Sequence, residues 1–210
     1  MEFTGFPEAA LDFYDDLELD NSKTFWDAHK QVYDTAVAAP MRALVAQLEP
    51  EFGPARVYRP YRDLRFSKDK TPYKTHQGAF VANGPSTGYY VQVGAPGVRV
   101  GVGFYDASPA RLASIRDAMA EERRGQELLD VMASLEADGW ERHGERVKTS
   151  PRGWSADHPR IDLLRHKSLS MNKEYGFEPF IHTAELVDRV RADWRAGAPL
   201  LDWVLRYSRG

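Results

Sequence analysis

The strongest constraint on the fold is an alternation of residue types around the turn Ala95-Pro96-Gly97. A run of β-forming residues from Tyr89 to Val93 precedes this turn. After it, large apolar residues occupy every second position: Val98, Val100, Val102 and Phe104. A β-forming run before a turn and a period-two pattern after it are typical of an antiparallel β-hairpin. Gly101 and Gly103 fall on the same face of the second strand, which predicts either close approach of another element or room for a ligand.

Helical patterns flank this hairpin on both sides. Apolar residues recur at three- and four-residue spacing over 7–19 and from a cap at Asn21 or Ser22 onward, and Pro40 is expected to kink or split the second helix. Further helices are expected after Ser108-Pro109, with a break at Gly125, and over 182–195 and 198–207; a strand is expected over 145–149. This order predicts an α+β fold in which a mostly antiparallel sheet packs with N-terminal and C-terminal helices.

At 210 residues the chain is long enough to bury one substantial core, and a single domain over residues 1–210 is expected. It contains no cysteine, which excludes disulfides and thiolate chemistry. The N-terminus is acidic where a signal peptide is basic, and no run approaches the roughly 18 apolar residues of a membrane span. We therefore expect a soluble, cytoplasmic protein with no membrane partner, and the oligomeric state stays open.

Positive charge is concentrated in the segment 59–76, which reads RPYRDLRFSKDKTPYKTH. Six of its residues are cationic and two are acidic, a net charge of +4 in a chain whose total is −3. Such a segment in an acidic protein attracts an anion. Guanidinium groups present a planar fork that suits phosphate and carboxylate. The expected anion-binding side chains are Arg59, Arg62, Arg65, Lys70 and Lys74.

Two further residues of the segment are candidates for a catalytic role. Asp63 could orient a neighbouring arginine or act as a general base, and Tyr73 follows Pro72, which restricts the backbone and could aim the phenol inward. Arg152, in the turn Pro151-Arg152-Gly153 of a second cationic segment over 142–167, could reach the same anion. Arg99 and Tyr105 are possible contributors from the hairpin.

Several functions are compatible with this pattern. The first is a protein, possibly an enzyme, that takes a small phosphate- or carboxylate-bearing molecule. A nucleic-acid-binding module is the second, because Tyr58, Tyr61, Phe66, Tyr73 and Trp154 accompany the cations and could stack on bases. The acidic N-terminal region argues against this, so a small anionic ligand is the preferred partner. The third is a structural network in which the arginines pair with Asp63 and Asp69.

Familiar catalytic and cofactor motifs do not occur in the sequence. There is no GxxxxGK[ST], complete GxGxxG, HExxH or GxSxG pattern. The six histidines lie far apart, so no metal site is predicted. The sequence identifies no cofactor, and it does not decide whether the protein is an enzyme.

The charged segment resembles the signature of a widespread bacterial family of uncharacterised proteins, known only as a domain of unknown function. Its hallmark is R-x-x-R-D-x-R-F followed by D/N-K-x-x-Y. The matching positions here are Arg59, Arg62, Asp63, Arg65, Phe66, Asp69, Lys70 and Tyr73. Asn21, Trp26, Tyr33, Gly101-Val102-Gly103 and Asp157-His158-Pro159 are also similar, so the resemblance extends over nearly the whole chain. It implies one domain of this length and no particular activity.

Overall fold

The N-terminal part of the chain is helical, as the periodicity predicts. The computed structural model describes residues 2–65 and 69–208. It contains α1 (Glu8–Leu19), α2 (Lys23–Val32), a π-helical segment (Tyr33–Ala38) and α3 (Ala39–Phe52). Ser22 caps α2, since its Oγ accepts a hydrogen bond from the Phe25 N–H at 3.1 Å. Pro40 lies in the first turn of α3, just after π-helix gives way to α-helix, and the helical backbone continues through it. The kink or split expected at Pro40 stays a prediction.

Six strands form one antiparallel sheet, and the α+β prediction is confirmed. They are β1 (Ala55–Val57), β2 (His76–Ala82), β3 (Thr87–Gly94), β4 (Gly97–Phe104), β5 (Glu141–His143) and β6 (Leu169–Gly176). Their order in the sheet is β1-β2-β3-β4-β6-β5. The predicted hairpin corresponds to β3 and β4. In the register of β1 and β2, Val57 lies opposite Ala79.

The remaining helices follow the hairpin. They are α4 (Pro109–Ala120), α5 (Glu122–Ala137), α6 (Ile161–Leu164), a 3-10 turn (Pro179–His182) and α7 (Glu185–Tyr207). Within the residues that the structure describes, none of these or the N-terminal helices combines the length and apolar character needed to cross a membrane.

Two predicted helix breaks are wrong. The chain breaks at Glu121 instead of Gly125, because Glu121 is extended and its carboxylate caps α5 by accepting from the N–H groups of Arg123 and Arg124. Gly125 lies inside α5, where a Cβ atom would stand 2.2 Å from the Met119 carbonyl oxygen. The two C-terminal helices are one helix, α7, with Pro199 in its interior. Burial of Leu200, Leu201 and Val204 stabilises the turns that follow this proline.

The strand predicted over 145–149 is also wrong. The chain instead pairs earlier, over β5, and contributes only an isolated bridge between Arg146 and His166 afterwards. Gly144 separates the two, with φ of +135° and its α-carbon so close to Ser168 that a Cβ would lie 2.1 Å from the Ser168 carbonyl oxygen. A left-handed residue at this point interrupts the ladder.

The chain divides into two compact units. The first contains the residues up to Val81, Tyr90–Val100 and Glu174–Ala192; the second contains Ala82–Tyr89, Gly101–Lys173 and the residues from Asp193 onward. The largest buried side chains of the first unit are Phe3, Phe6, Tyr14, Leu17, Met41, Leu44 and Leu48. Those of the second are Phe104, Ile115, Met119, Trp194 and Trp203. The single domain over 1–210 stays a prediction.

The glycines of β4 allow close approach of a neighbouring strand. In the second unit, a Cβ at Gly101 would lie 2.5 Å from Asn172 Oδ1, and one at Gly103 would lie 2.2 Å from the Leu169 carbonyl oxygen. Both neighbours belong to β6. Close approach of another element, one of the two predicted explanations for these glycines, is therefore confirmed.

Candidate anion-binding site

The cationic segment forms a loop whose two arms are joined by backbone hydrogen bonds. The Arg62 N–H donates to the Pro72 carbonyl at 2.9 Å, and the Lys74 N–H donates to the Pro60 carbonyl at 2.8 Å. Tyr61 and Tyr73 face each other across this antiparallel bridge. The base of the loop is thus fixed by the backbone, and its charged side chains are presented from two short extended arms.

The helices α1 and α2 hold the base of the loop in place. Asn21, in the link between them, donates from Nδ2 to the Tyr73 carbonyl at 3.1 Å and accepts from the Tyr73 N–H at 3.0 Å. Trp26 stacks on the Tyr73 ring, with centroids 4.2 Å apart and planes 6° apart. Because the Tyr73 ring is only 5 % exposed, its faces are used for packing and are closed to a ligand. Burial raises the pKa of the Tyr73 hydroxyl.

Arg62 is a structural member of the loop as well as a cation. Its Nε donates to the Tyr73 carbonyl at 2.9 Å, and its Nη1 forms an ion pair with the Asp69 carboxylate. Asp69 also accepts from the Thr71 N–H at 2.9 Å and from the Thr71 hydroxyl at 2.7 Å, and these two bonds hold the pKa of Asp69 below its usual range. Arg62 therefore ties the two arms together, and its charge is compensated from within the loop.

Arg65 is paired with Asp63. Its Nε and Nη2 donate to the two oxygens of the Asp63 carboxylate at 3.0 and 2.6 Å, in the bidentate geometry that arginine favours. The side-chain bond from Arg65, followed by that from its backbone N–H, lowers the pKa of Asp63. A carboxylate with a lowered pKa is a weak base, so this geometry favours the orienting role of Asp63 over the general-base role.

Three cations of the loop have no carboxylate partner within residues 2–65 and 69–208. Arg59 is exposed and makes no ion pair there. The Nζ of Lys70 donates to the Leu64 carbonyl and that of Lys74 to the Arg59 carbonyl, each at 3.0 Å. The pKa of Lys74 is lowered by burial and then by the charges of Arg59, Arg56 and Arg62. A lowered lysine pKa marks an excess of positive charge that a bound anion would relieve.

His76 on β2 and Arg99 on β4 lie on the sheet beside these cations, and Arg99 forms an ion pair with Glu174 at 3.5 Å. The Arg99 Nη2 donates to Gln92 Oε1 at 2.7 Å, and the Tyr90 hydroxyl donates to the same oxygen at 3.0 Å. Burial, and then the charges of Arg99, Lys74 and Arg62, lower the pKa of His76 to about 4. His76 is therefore neutral at physiological pH, and it can donate or accept a hydrogen bond beside the cations without adding charge.

An open depression adjoins the unpaired arginine. It has a volume of about 570 Å³ and is lined by Arg59, Tyr61, Arg62, Asp63, Leu64 and Arg65. Three of the predicted anion-binding arginines therefore share one concave surface. Among the described residues, no group of three or more His, Asp or Glu side chains is placed to hold a metal ion.

The second cationic segment is largely compensated by the protein itself. Its ion pairs are Arg142 with Glu136 at 3.0 Å, Arg146 and Arg165 with Asp162 at 2.9 and 3.2 Å, and Lys167 with Glu145 at 3.2 Å. Arg160 donates to the carbonyls of Ala120 and Glu122. His158 is a turn residue whose Nδ1 accepts from the Arg160 N–H at 3.1 Å. These contacts indicate that the segment forms a structural network within the second unit.

Some predicted site residues stay as predictions. Arg152 lies in the expected turn, which the Trp154 N–H closes by donating to the Pro151 carbonyl at 3.1 Å. Arg152 and Tyr105 both belong to the second unit. The motif residue Phe66, which was also a candidate for base stacking, and the cation Lys68 lie outside the described residues.

Sequence reasoning missed four residues that shape this region. Arg56, on β1, lies over the Tyr58 ring at 5.6 Å, and Arg42 and Lys30 come from the N-terminal helices. Gln77 is fully buried between the loop and the helices. Its position on β2 was the one available signal, because Gln77 shares a strand face with the buried apolar residues Ala79 and Val81, and a polar residue on a buried face needs hydrogen-bond partners.

The fold and the site together define an α+β protein whose distinctive feature is an arginine-rich loop fixed to the sheet and to two helices. A family model described as "conserved hypothetical protein (DUF2461)" matches residues 9–203, and the chain belongs to this family. Comparison with curated proteins and with solved structures gave no match.

Proposed function

We propose that the protein binds a small anionic molecule, bearing phosphate or carboxylate, in the depression beside Arg59. The observation that carries this proposal is the charge balance of the loop. Asp63 and Asp69 form ion pairs with Arg65 and Arg62, whereas Arg59, Lys70 and Lys74 make no ion pair in the described part of the chain. A network whose only role was structural would not need these additional cations.

The pairing within the loop also suits a binding site. Asp63 holds the guanidinium of Arg65, which is otherwise exposed, in one orientation, so that less side-chain entropy is lost when a ligand arrives. An arginine already bonded to one carboxylate keeps further N–H donors for a second anion, because guanidinium has five. The depression also falls in the size range of small-molecule sites, about 300–1,000 Å³.

The nucleic-acid alternative has less support. Of the aromatic residues proposed to stack on bases, Tyr73 is buried against Trp26, and Trp154 belongs to the second unit with His158 against its ring at 5.4 Å. Tyr58 and Tyr61 are the accessible ones among those described, which is too short a track for an extended strand.

Titration calorimetry at low ionic strength tests the proposal, with inorganic phosphate, pyrophosphate and citrate as probes. We expect saturable binding of at least one probe, weakened by salt, and a loss of affinity of at least about tenfold in Arg59→Ala, because a charge-assisted hydrogen bond is removed. Arg123→Ala, which removes an exposed arginine of α5, is the matched control and should leave the affinity unchanged.

The same two variants distinguish a loss of ligand affinity from a loss of folded structure. Arg59 makes no side-chain bond to the described residues, so Arg59→Ala should unfold at the wild-type temperature. If instead Arg59→Ala binds the probes as tightly as the wild type, or if no probe binds saturably to either protein, the proposal is wrong.

A further inference from the structure

A second hollow adjoins the anion site and differs from it in chemistry. Its volume is about 340 Å³, near the lower limit of small-molecule sites, about 300 Å³. Its aromatic lining consists of Trp26, Tyr33, Tyr58 and Tyr61. Arg59 and Tyr61 line this hollow and the depression of about 570 Å³ as well, so one residue pair forms the border of both.

Trp26 lines the second hollow and carries a hydrogen-bond donor that none of the described residues uses. The residue is 2 % exposed, and its Nε1 is buried without a hydrogen-bond partner among the described residues. An indole N–H can only donate, and burying it unpaired is costly. The Tyr33 hydroxyl donates to Gln77 Oε1 at 2.5 Å and makes no hydrogen bond with the indole N–H. A ligand that offers an acceptor in this hollow would satisfy Trp26.

Cations lie near the aromatic residues that line this hollow, but the ring of Tyr61 stays accessible. Lys74 Nζ lies 5.2 Å from the centroid of the Tyr58 ring, which is therefore partly occupied. Tyr61 is 46 % exposed, although its ring lies only 5.8 Å from that of Trp26. An exposed tyrosine held against a buried aromatic cluster is a stacking surface whose own conformational entropy is already reduced.

From these contacts we infer that the ligand is a small anion carrying a planar heteroaromatic ring, such as a mononucleotide. The inference rests on the proposed function: the phosphate lies in the depression beside Arg59, and the ring lies in the hollow against Tyr61 with a ring acceptor on the Trp26 Nε1–H. A heterocycle supplies both the flat face and the acceptor, which an aliphatic phosphate or a purely carbocyclic ring does not.

Calorimetry with matched ligands tests this inference. The probes are inorganic phosphate, ribose 5-phosphate, AMP and UMP. We expect at least one nucleotide to bind at least about tenfold more tightly than ribose 5-phosphate, a low estimate for stacking on an aromatic side chain. Tyr61→Ala should reduce this advantage, measured as the ratio of nucleotide affinity to ribose 5-phosphate affinity within the same variant, to less than about twofold. Phe177→Ala, which removes another exposed aromatic ring, is the control and should change neither affinity.

Trp26→Phe tests the donor separately, since phenylalanine keeps an aromatic ring and has no N–H. Urea unfolding of this variant is measured alongside, because phenylalanine is smaller than tryptophan and leaves unfilled volume at this buried position. We expect it to weaken nucleotide binding by about threefold to tenfold, the contribution of one hydrogen bond, without affecting ribose 5-phosphate. Tyr61→Ala removes an exposed side chain and keeps the inference testable if Trp26→Phe fails to fold.

The outcomes distinguish the inference from the proposed function. Equal affinities for ribose 5-phosphate and for both nucleotides, all dependent on Arg59, would overturn the inference and leave the anion site standing. Binding that is independent of Arg59 contradicts both. A single-stranded oligonucleotide that binds more than about tenfold tighter than the mononucleotides overturns the assignment to a small ligand.

Discussion

Asp69→Asn should increase the affinity of the protein for phosphate by about fivefold at low ionic strength. The substitution removes a negative charge from beside Arg62 and leaves the guanidinium free to bind an incoming anion. One elementary charge at this range contributes on the order of 1 kcal/mol in a solvent-exposed setting. Asparagine keeps an oxygen that can accept from Thr71, so the local turn is retained. The free energy of unfolding should change little, because the lost ion pair is partly exposed.

Arg62→Met is expected to act in the opposite direction on binding. It removes a cation from the depression and leaves Asp69 uncompensated, so phosphate affinity should fall by at least about tenfold. It also deprives the Tyr73 carbonyl of a charged donor, which should lower the free energy of unfolding by about 2 kcal/mol.

Calorimetry and urea unfolding measure both quantities for this pair of variants. Asp130→Asn, an exposed aspartate of α5, controls for the change in net charge and should leave phosphate affinity within about twofold of the wild type. A purely structural Arg62–Asp69 pair predicts the alternative outcome: both substitutions destabilise the loop, and Asp69→Asn weakens phosphate binding as much as Arg62→Met does.

Gln77→Leu should lower the free energy of unfolding by about 3 kcal/mol. This is the largest loss of stability that we expect from replacing a single polar side chain of this region. Gln77 is 1 % exposed. Its Oε1 accepts from the Tyr33 hydroxyl at 2.5 Å, and its Nε2 donates to the carbonyls of Tyr58 and Gly78 at 2.7 and 2.9 Å. Leucine fills a similar volume but leaves the phenol and the Tyr58 carbonyl without this partner in a buried site.

Urea unfolding with two companion variants tests this account of Gln77. Gln126→Leu, at an exposed position of α5, should change the free energy of unfolding by no more than about 0.5 kcal/mol. Adding Tyr33→Phe to Gln77→Leu removes the orphaned hydroxyl and should recover part of the loss. A Gln77→Leu protein that is less than about 1 kcal/mol destabilised would show that the network does not hold the chain at Tyr58, immediately before Arg59.

The fold class was predictable because local patterns decide it. The alternation around Ala95-Pro96-Gly97 and the Ser22 and Ser108 caps each determine the structure of their own neighbourhood. The wrong predictions of secondary structure near Gly125, Gly144 and Pro199 have a different origin. At Gly144 the Ser168 carbonyl oxygen, from the segment that precedes β6, lies 2.1 Å from where a Cβ would stand, and at Gly125 the Met119 carbonyl oxygen, from the end of α4, lies 2.2 Å away. At Pro199 burial outweighs the missing N–H. These packing contacts cannot be read from the type of the glycine or proline residue alone.

The same distinction applies to the candidate site. The sequence located the positive charge and the pairing of Asp63 with an arginine, because these residues are close neighbours in the chain. It could not separate compensated from uncompensated cations, since the state of Arg59 depends on what the folded loop brings near it. It also gave no indication that Trp26 and Tyr33, which pack with the N-terminal helices, form a wall of the hollow next to Arg59.

The central claim is that the Arg59 guanidinium contacts an anion from outside the chain. Heteronuclear NMR of the arginine side chains during a phosphate titration at low ionic strength measures this contact directly, with the Arg59 Nε–Hε signal assigned from its absence in Arg59→Ala. The account predicts a saturable shift of the Arg59 signal at the concentrations where calorimetry detects binding, while the signal of Arg146, paired with Asp162, stays unchanged. An Arg59 signal that does not move while phosphate binds would contradict it.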